Sequence, residues 1–167
     1  MGTVTLRSAV DLSRLNRGEL IAAGGGALLA ISVFLTWYSL GNVNAHVGGC
    51  DNRIHHAVNT SCSGWNALTV FPILFLLGAA APIVLAWIIA RGHALAWPRG
   101  ELTAVVAIVA LILILFIGVV DKPGSPPEEI SVTWGWGVAV VGSLLMLLGA
   151  VWRSQESAPR RKPPGVL

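Results

Sequence analysis

Charge is scarce in this chain and unevenly placed. Only 11% of its 167 residues are Asp, Glu, Lys or Arg, and four runs contain none of them: Leu20 to Leu40, Ala67 to Ala90, Leu102 to Val120 and Trp134 to Trp152. Proton relays, ion-coupled carriers and voltage sensors work through ionisable groups facing an interior path, so a pump or proton-coupled transporter is disfavoured. A Cys-x-x-Cys pair, a Gly-rich phosphate loop, a Walker motif and a Ser/His/Asp set are also missing. Their absence removes the usual marks of thiol redox chemistry, nucleotide handling and acyl transfer. The residues call for no cofactor, and the chain reads as a non-enzyme.

What is abundant is apolar. Hydrophobic residues make up 54% of the chain, and they are blocked rather than periodic. A helix rising about 1.5 Å per residue needs about 20 residues to cross a hydrocarbon core of about 30 Å, and each uncharged run is close to that length. A soluble core helix would carry a polar face, and strands in lipid would leave backbone donors unpaired unless closed into a barrel. The sequence therefore predicts an all-α membrane protein, a bundle of four transmembrane helices. The apolar stretch of the first run exceeds the roughly 7–15 residues of a signal peptide and has no small-x-small site after it, so it reads as a retained anchor.

Orientation follows from the cations, because Lys and Arg in short flanking segments stay on the cytoplasmic side. Arg7, Arg14, Arg17, Arg91, Arg99, Arg153, Arg160, Arg161 and Lys162 fall on one side of the four runs, and only Arg53 and Lys122 on the other. Both termini are thus expected in the cytoplasm, with external loops at 41–66 and 121–133. The net charge of +3 is explained by this bias and implies no nucleic-acid partner. Cys50 and Cys62 both lie in the first external loop, where an oxidising compartment favours a disulfide. Charge and cysteine usage point to the same topology.

Residues 1–17 read as a cytoplasmic segment in which Ser8-Ala-Val-Asp11 caps a short surface helix or belongs to a disordered leader. Residues 18–152 form the helical domain, and 153–167 a basic, disordered tail whose Arg160, Arg161 and Lys162 suit anionic lipid. The chain also looks duplicated. Arg17-Gly-Glu-Leu20 opens the first run and Arg99-Gly-Glu-Leu102 the third, while Gly64-Trp65 with Leu76-Leu-Gly-Ala79 matches Gly135-Trp136 with Leu147-Leu-Gly-Ala150. Two helical hairpins of one orientation would result, the first carrying the longer loop.

Small residues predict helix contacts, since lipid offers no hydrophobic drive for helix association. Gly18, Ala22, Gly26 and Ala30 recur every four residues, as do Gly135, Ala139 and Ser143. Pro82 predicts a kink in the second span. Trp37, Tyr38, Trp65, Trp97, Trp134 and Trp152 fall near span ends, the pattern of an interfacial aromatic belt. Glu19 and Glu101 sit at helix N-termini, where a carboxylate favours the dipole. In the first loop His46, His55 and His56 are candidate metal ligands beside Cys50 and Asp51, but their spacing matches no metal motif.

The stretch from Arg17-Gly-Glu-Leu-Ile-Ala-Ala-Gly-Gly-Gly to Thr36-Trp37-Tyr38 resembles the opening of small four-span membrane proteins of high-GC Gram-positive bacteria, a family that implies no particular activity. The layout of four spans, cytoplasmic ends and a cystine in the first external loop is also similar to that of claudin-like tetraspans. Their loop signature places Gly-Leu-Trp before the cysteine pair, whereas Trp65 here follows Cys62, so the likeness is one of layout and no junctional function is carried over. The expected role is an accessory or assembly subunit acting on a membrane-protein partner or as a homo-oligomer in the bilayer. The alternatives are a small oligomeric transporter or channel for a neutral solute, and a metal-binding or redox protein using the external loop.

Overall fold

In the computed structural model, residues 15–55, 60–91 and 99–157 are described. Among the described residues three helices are long and apolar enough to cross a membrane: Phe71–Ala90, Glu101–Val120 and Trp134–Gln155. Only 28%, 33% and 39% of their most apolar windows are buried inside the molecule. Apolar surface of that extent needs a lipid solvent, and the chain is a membrane protein.

The elements run α1 (Arg17–Ser32), β1 (Thr36–Leu40), β2 (His46–Val47), β3 (Cys50–Asp51), α2 (Asn52–His55), β4 (Thr60–Ser63), α3 (Gly64–Ala67), α4 (Phe71–Ala90), α5 (Arg99–Leu115), β5 (Ile130–Val132) and α6 (Trp134–Ser157). A π-helical turn, Phe116–Val120, continues α5, and a 3-10 turn, Pro127–Glu129, precedes β5. Helix α1 packs most closely on α6 and also on α4; α5 packs on α6 and only lightly on α4.

The structure is mostly helical but not all-α, which corrects the expectation. Strands β4, β1 and β5 form an antiparallel sheet in that order, and β2 pairs with β3 in a hairpin. Helix α1 ends at Ser32, well short of Leu40. The remaining Thr36-Trp37-Tyr38-Ser39-Leu40 is the central strand, with Trp37, Tyr38 and Leu40 fully buried. A short apolar run rich in aromatics and β-branched residues serves a buried strand as well as a helix. Here sheet pairing on both sides satisfies its backbone, so it needs no helix.

The sheet closes one end of the helices, termed the sheet end. The opposite end carries Glu19 and Arg153. The core is continuous between the sheet and the helices, from Leu40, Val47 and Ile130 through Trp37 and Phe75 to Met146.

Candidate functional site

The sheet end is built from the α1–α4 and α5–α6 connections. Strand β1 leaves α1 and is flanked by β4 from its own loop and by β5 from the segment before α6, with Tyr38 opposite both Cys62 and Val132. The Cys50–Cys62 disulfide, Cα atoms 6.0 Å apart, ties the β2–β3 hairpin to β4. His46 and Ser125 exchange two backbone hydrogen bonds of 3.1 and 3.0 Å, and Gly41 N–H donates to Glu129 O at 2.9 Å. These bonds lock the two loops together.

Two aromatics root the sheet in the helices. Trp37 Nε1 donates to Ser32 O at 2.7 Å, a second bond to a carbonyl at the end of α1 that also accepts the Leu35 N–H at 3.0 Å. Tyr38 donates its hydroxyl to Ile117 O in the π-helical turn at 3.2 Å, and burial pushes the phenol pKa well up. Neither residue belongs to an interfacial belt as expected, because both are fully buried. Trp65, Trp134 and Trp152 are exposed and remain fit for that role, whereas Trp97 lies outside the described residues. Trp65 stacks on Phe34, ring centroids 5.6 Å apart.

Among the described residues the candidate metal ligands do not form a cluster. His46 faces Asp51 across the β2–β3 pair, but both oxygens of Asp51 are engaged by Arg53, Nε to Oδ1 at 3.0 Å and Nη2 to Oδ2 at 2.9 Å. Those hydrogen bonds, with the guanidinium charge, hold the Asp51 carboxyl below its usual range. The cysteines are spent in the disulfide. The side chain of His55 and all of His56 lie outside the described residues, and among the described ones no three His, Cys, Asp or Glu groups converge.

The small-residue faces are seams between helices. A Cβ on Gly18 would stand 2.8 Å from Gly149 O, and one on Gly26 would stand 2.6 Å from Ala79 O beside the Pro82 ring. Ala22, Ala139 and Ser143 are buried and Ala30 is packed against the core. Gly135 sits against the backbone of Thr36. Pro82 lies inside α4, which continues unbroken from Phe71 to Ala90. Three glycines not singled out from the sequence complete the α1–α6 seam: Gly25, whose added Cβ would meet Gly142 O at 2.7 Å, and Gly142 and Gly149 opposite. Gly18 and Gly25 are seven residues apart, as are Gly142 and Gly149. The signal in the sequence is this two-turn repeat, which a four-residue spacing does not capture.

The far end holds a buried ion pair that sequence reading missed. Arg153 Nη2 lies 3.1 Å from Glu19 Oε1, with side chains only 8% and 7% exposed. The other carboxylate oxygen accepts the Asn16 N–H at 3.2 Å, so Glu19 also caps α1 as expected. Buried Thr103 of α5 lines the same small space. Glu101, its counterpart in the second Arg-Gly-Glu-Leu tetrad, is exposed. A carboxylate at the first run's edge and an arginine at the last run's edge, on the same expected side, was the available clue.

Between α4 and α5 the helices part. A groove of about 380 Å³ is lined by Leu74, Gly78, Val105, Val106, Val109 and Leu113. One turn nearer the sheet, a second hollow of about 250 Å³ is lined by Leu68, Thr69, Phe71, Phe116, Asp121 and Pro123.

Compared with known proteins, the chain matches no family model, no curated protein and no solved structure.

Proposed function

We propose that this is a four-span membrane protein with both termini in the cytoplasm, acting as a non-enzymatic accessory or assembly subunit through its disulfide-closed external cap. The observation that carries this reading is the construction of the cap. Two loops that could have been tethers are joined by sheet pairing and a disulfide and are rooted on buried Trp37 and Tyr38. A rigid surface of this kind suits recognition, because little conformational entropy is lost on binding.

Placing the sheet outside follows the cation bias and agrees with an oxidised cystine. Helix α1, about 24 Å long at 1.5 Å per residue, becomes the fourth span with Val33, Phe34 and Leu35 completing the crossing. The bundle is then up-down-up-down, with α1 held between α6 and α4. The internal duplication rests on the paired Arg-Gly-Glu-Leu tetrads and the paired Gly-Trp and Leu-Leu-Gly-Ala segments.

The test is affinity capture of the tagged chain from its own membranes in mild detergent, with mass spectrometry of what accompanies it. A stoichiometric partner whose capture is lost when the exposed Trp65 is replaced by Ala supports the reading. A monomer with no reproducible companion sinks it. The alternative, a small oligomeric carrier or channel for a neutral solute, rests on the looseness of the α4–α5 side. It predicts a clean homo-oligomer and solute flux in reconstituted vesicles.

A further inference from the structure

We infer that the α4–α5 side binds one acyl chain of a bilayer lipid whose headgroup carries an ammonium group. Its tail lies in the groove and its headgroup beside Asp121.

Three observations combine. First, α4 and α5 pack only lightly on each other, while the other adjacent helix pairs are closely seated. Buried Phe75 and Ala110 line the gap at its depth, and at its side a Cβ added to Gly78 would stand 3.2 Å from Val106 Cγ1. Second, the groove and the upper hollow lie on the same two helices one turn apart. Together they form a track that is aliphatic at depth and acquires Thr69 and Asp121 towards the sheet. Each lies at or near the lower end of the about 300–1,000 Å³ usual for ligand sites. Third, Asp121 is exposed at the end of the π-helical turn and makes no ion pair with any described residue. Its neighbour Lys122 is engaged elsewhere, Nζ donating to Ile130 O at 3.1 Å.

An apolar track ending at an unpaired carboxylate is complementary to an amphiphile with a cationic end. A second copy of the chain would bring an uncharged helix face, which leaves the Asp121 carboxylate unpaired. An anionic lipid would meet repulsion at Asp121. The inference uses the membrane setting of α4 and α5 and does not depend on the accessory role, since partner capture through the cap can fail or succeed independently.

The experiment uses the full chain reconstituted in phosphatidylcholine vesicles. These contain a trace of phosphatidylethanolamine bearing a photoactivatable diazirine on one acyl chain, and the adducts are mapped by peptide mass spectrometry. Adducts should concentrate on the segments containing Leu74 to Gly78 and Val105 to Leu113. Gly78→Phe should reduce them about tenfold. Should Gly78→Phe fail to fold, Val109→Trp fills the groove from its lipid-facing side and should do the same. Asp121→Asn should leave the chain folded and lower the preference for the ethanolamine probe over a phosphatidylglycerol probe about fivefold, the worth of one charge near the surface. Adducts spread equally over the outward residues Ile31, Leu144 and Leu148 would overturn the inference. Crosslinks joining two copies through the groove, or a headgroup preference unmoved by Asp121→Asn, would also overturn it.

Discussion

Arg153→Met is the most informative single change, because it strands a buried carboxylate. Glu19 and Arg153 are each less than a tenth exposed. Removing one partner of such a pair costs about 3–5 kcal/mol, mostly as the desolvation of the charge left behind. For a chain of this size 1 kcal/mol corresponds to about 2–4 °C in midpoint, so the variant should melt about 6–20 °C lower. Glu19→Gln keeps the bond to the Asn16 N–H, since Gln serves in a capping box as Glu does. It should cost less than Arg153→Met, because the long arginine stem can carry its charge to the membrane surface. The double variant, Glu19→Gln with Arg153→Met, leaves no buried charge and should recover much of the loss, a coupling of about 1–3 kcal/mol. Thermal melts of the purified chain in mild detergent, read by loss of the monodisperse chromatographic peak, rank the four proteins. Arg153→Met within about 2 °C of the parent, or a double variant no better than the sum of the singles, would refute the reasoning.

Further outcomes are expected elsewhere. Cys50 and Cys62 are twelve residues apart, and reducing the disulfide or replacing both with Ser should cost about 3 kcal/mol, seen as a lower midpoint under reductant. Gly149→Val should abolish a stable fold, since its Cβ would stand 2.5 Å from Ala22 N and Gly18 O. Gly24→Ala and Gly137→Ala meet nothing within 4 Å and should raise stability by up to about 1 kcal/mol through helix propensity, as melting will show. Tyr38 is the sole tyrosine, and burial raises its pKa above the ordinary 10.0. The neutral phenol is therefore the form that the fold holds. Its contribution is complete below the ordinary value and is lost as pH rises through the raised one. Ultraviolet difference absorbance should show no tyrosinate in the folded protein at about pH 11, and a signal with ordinary titration would contradict the buried hydroxyl.

The helices were legible because lipid imposes one demand on backbone and side chain alike. A run of uncharged residues such as Phe71–Ala90 or Trp134 to Trp152 has few other solutions. The disulfide was legible from compartment logic. Strand β1 was not, because Thr36 to Leu40 is as apolar as the helix it follows, and only pairing with β4 and β5, remote in sequence, decides between the two states. The same non-locality hid the ion pair, since Glu19 and Arg153 stand at opposite ends of the chain. Local patterns report solvent and period, whereas register between distant segments is set by packing.

Mechanically, the cap has no slack. Three residues separate α1 from β1, one separates β5 from α6, and none separates β4 from α3. Thr133 closes the joint by donating its N–H to Trp37 O and its hydroxyl to Thr36 O. A load applied to the sheet therefore cannot be absorbed by loop extension and must pass into α1 and α6 as torque. It would be resisted by the glycine seam, and at the far end by Glu19 and Arg153 acting as the pin of a lever.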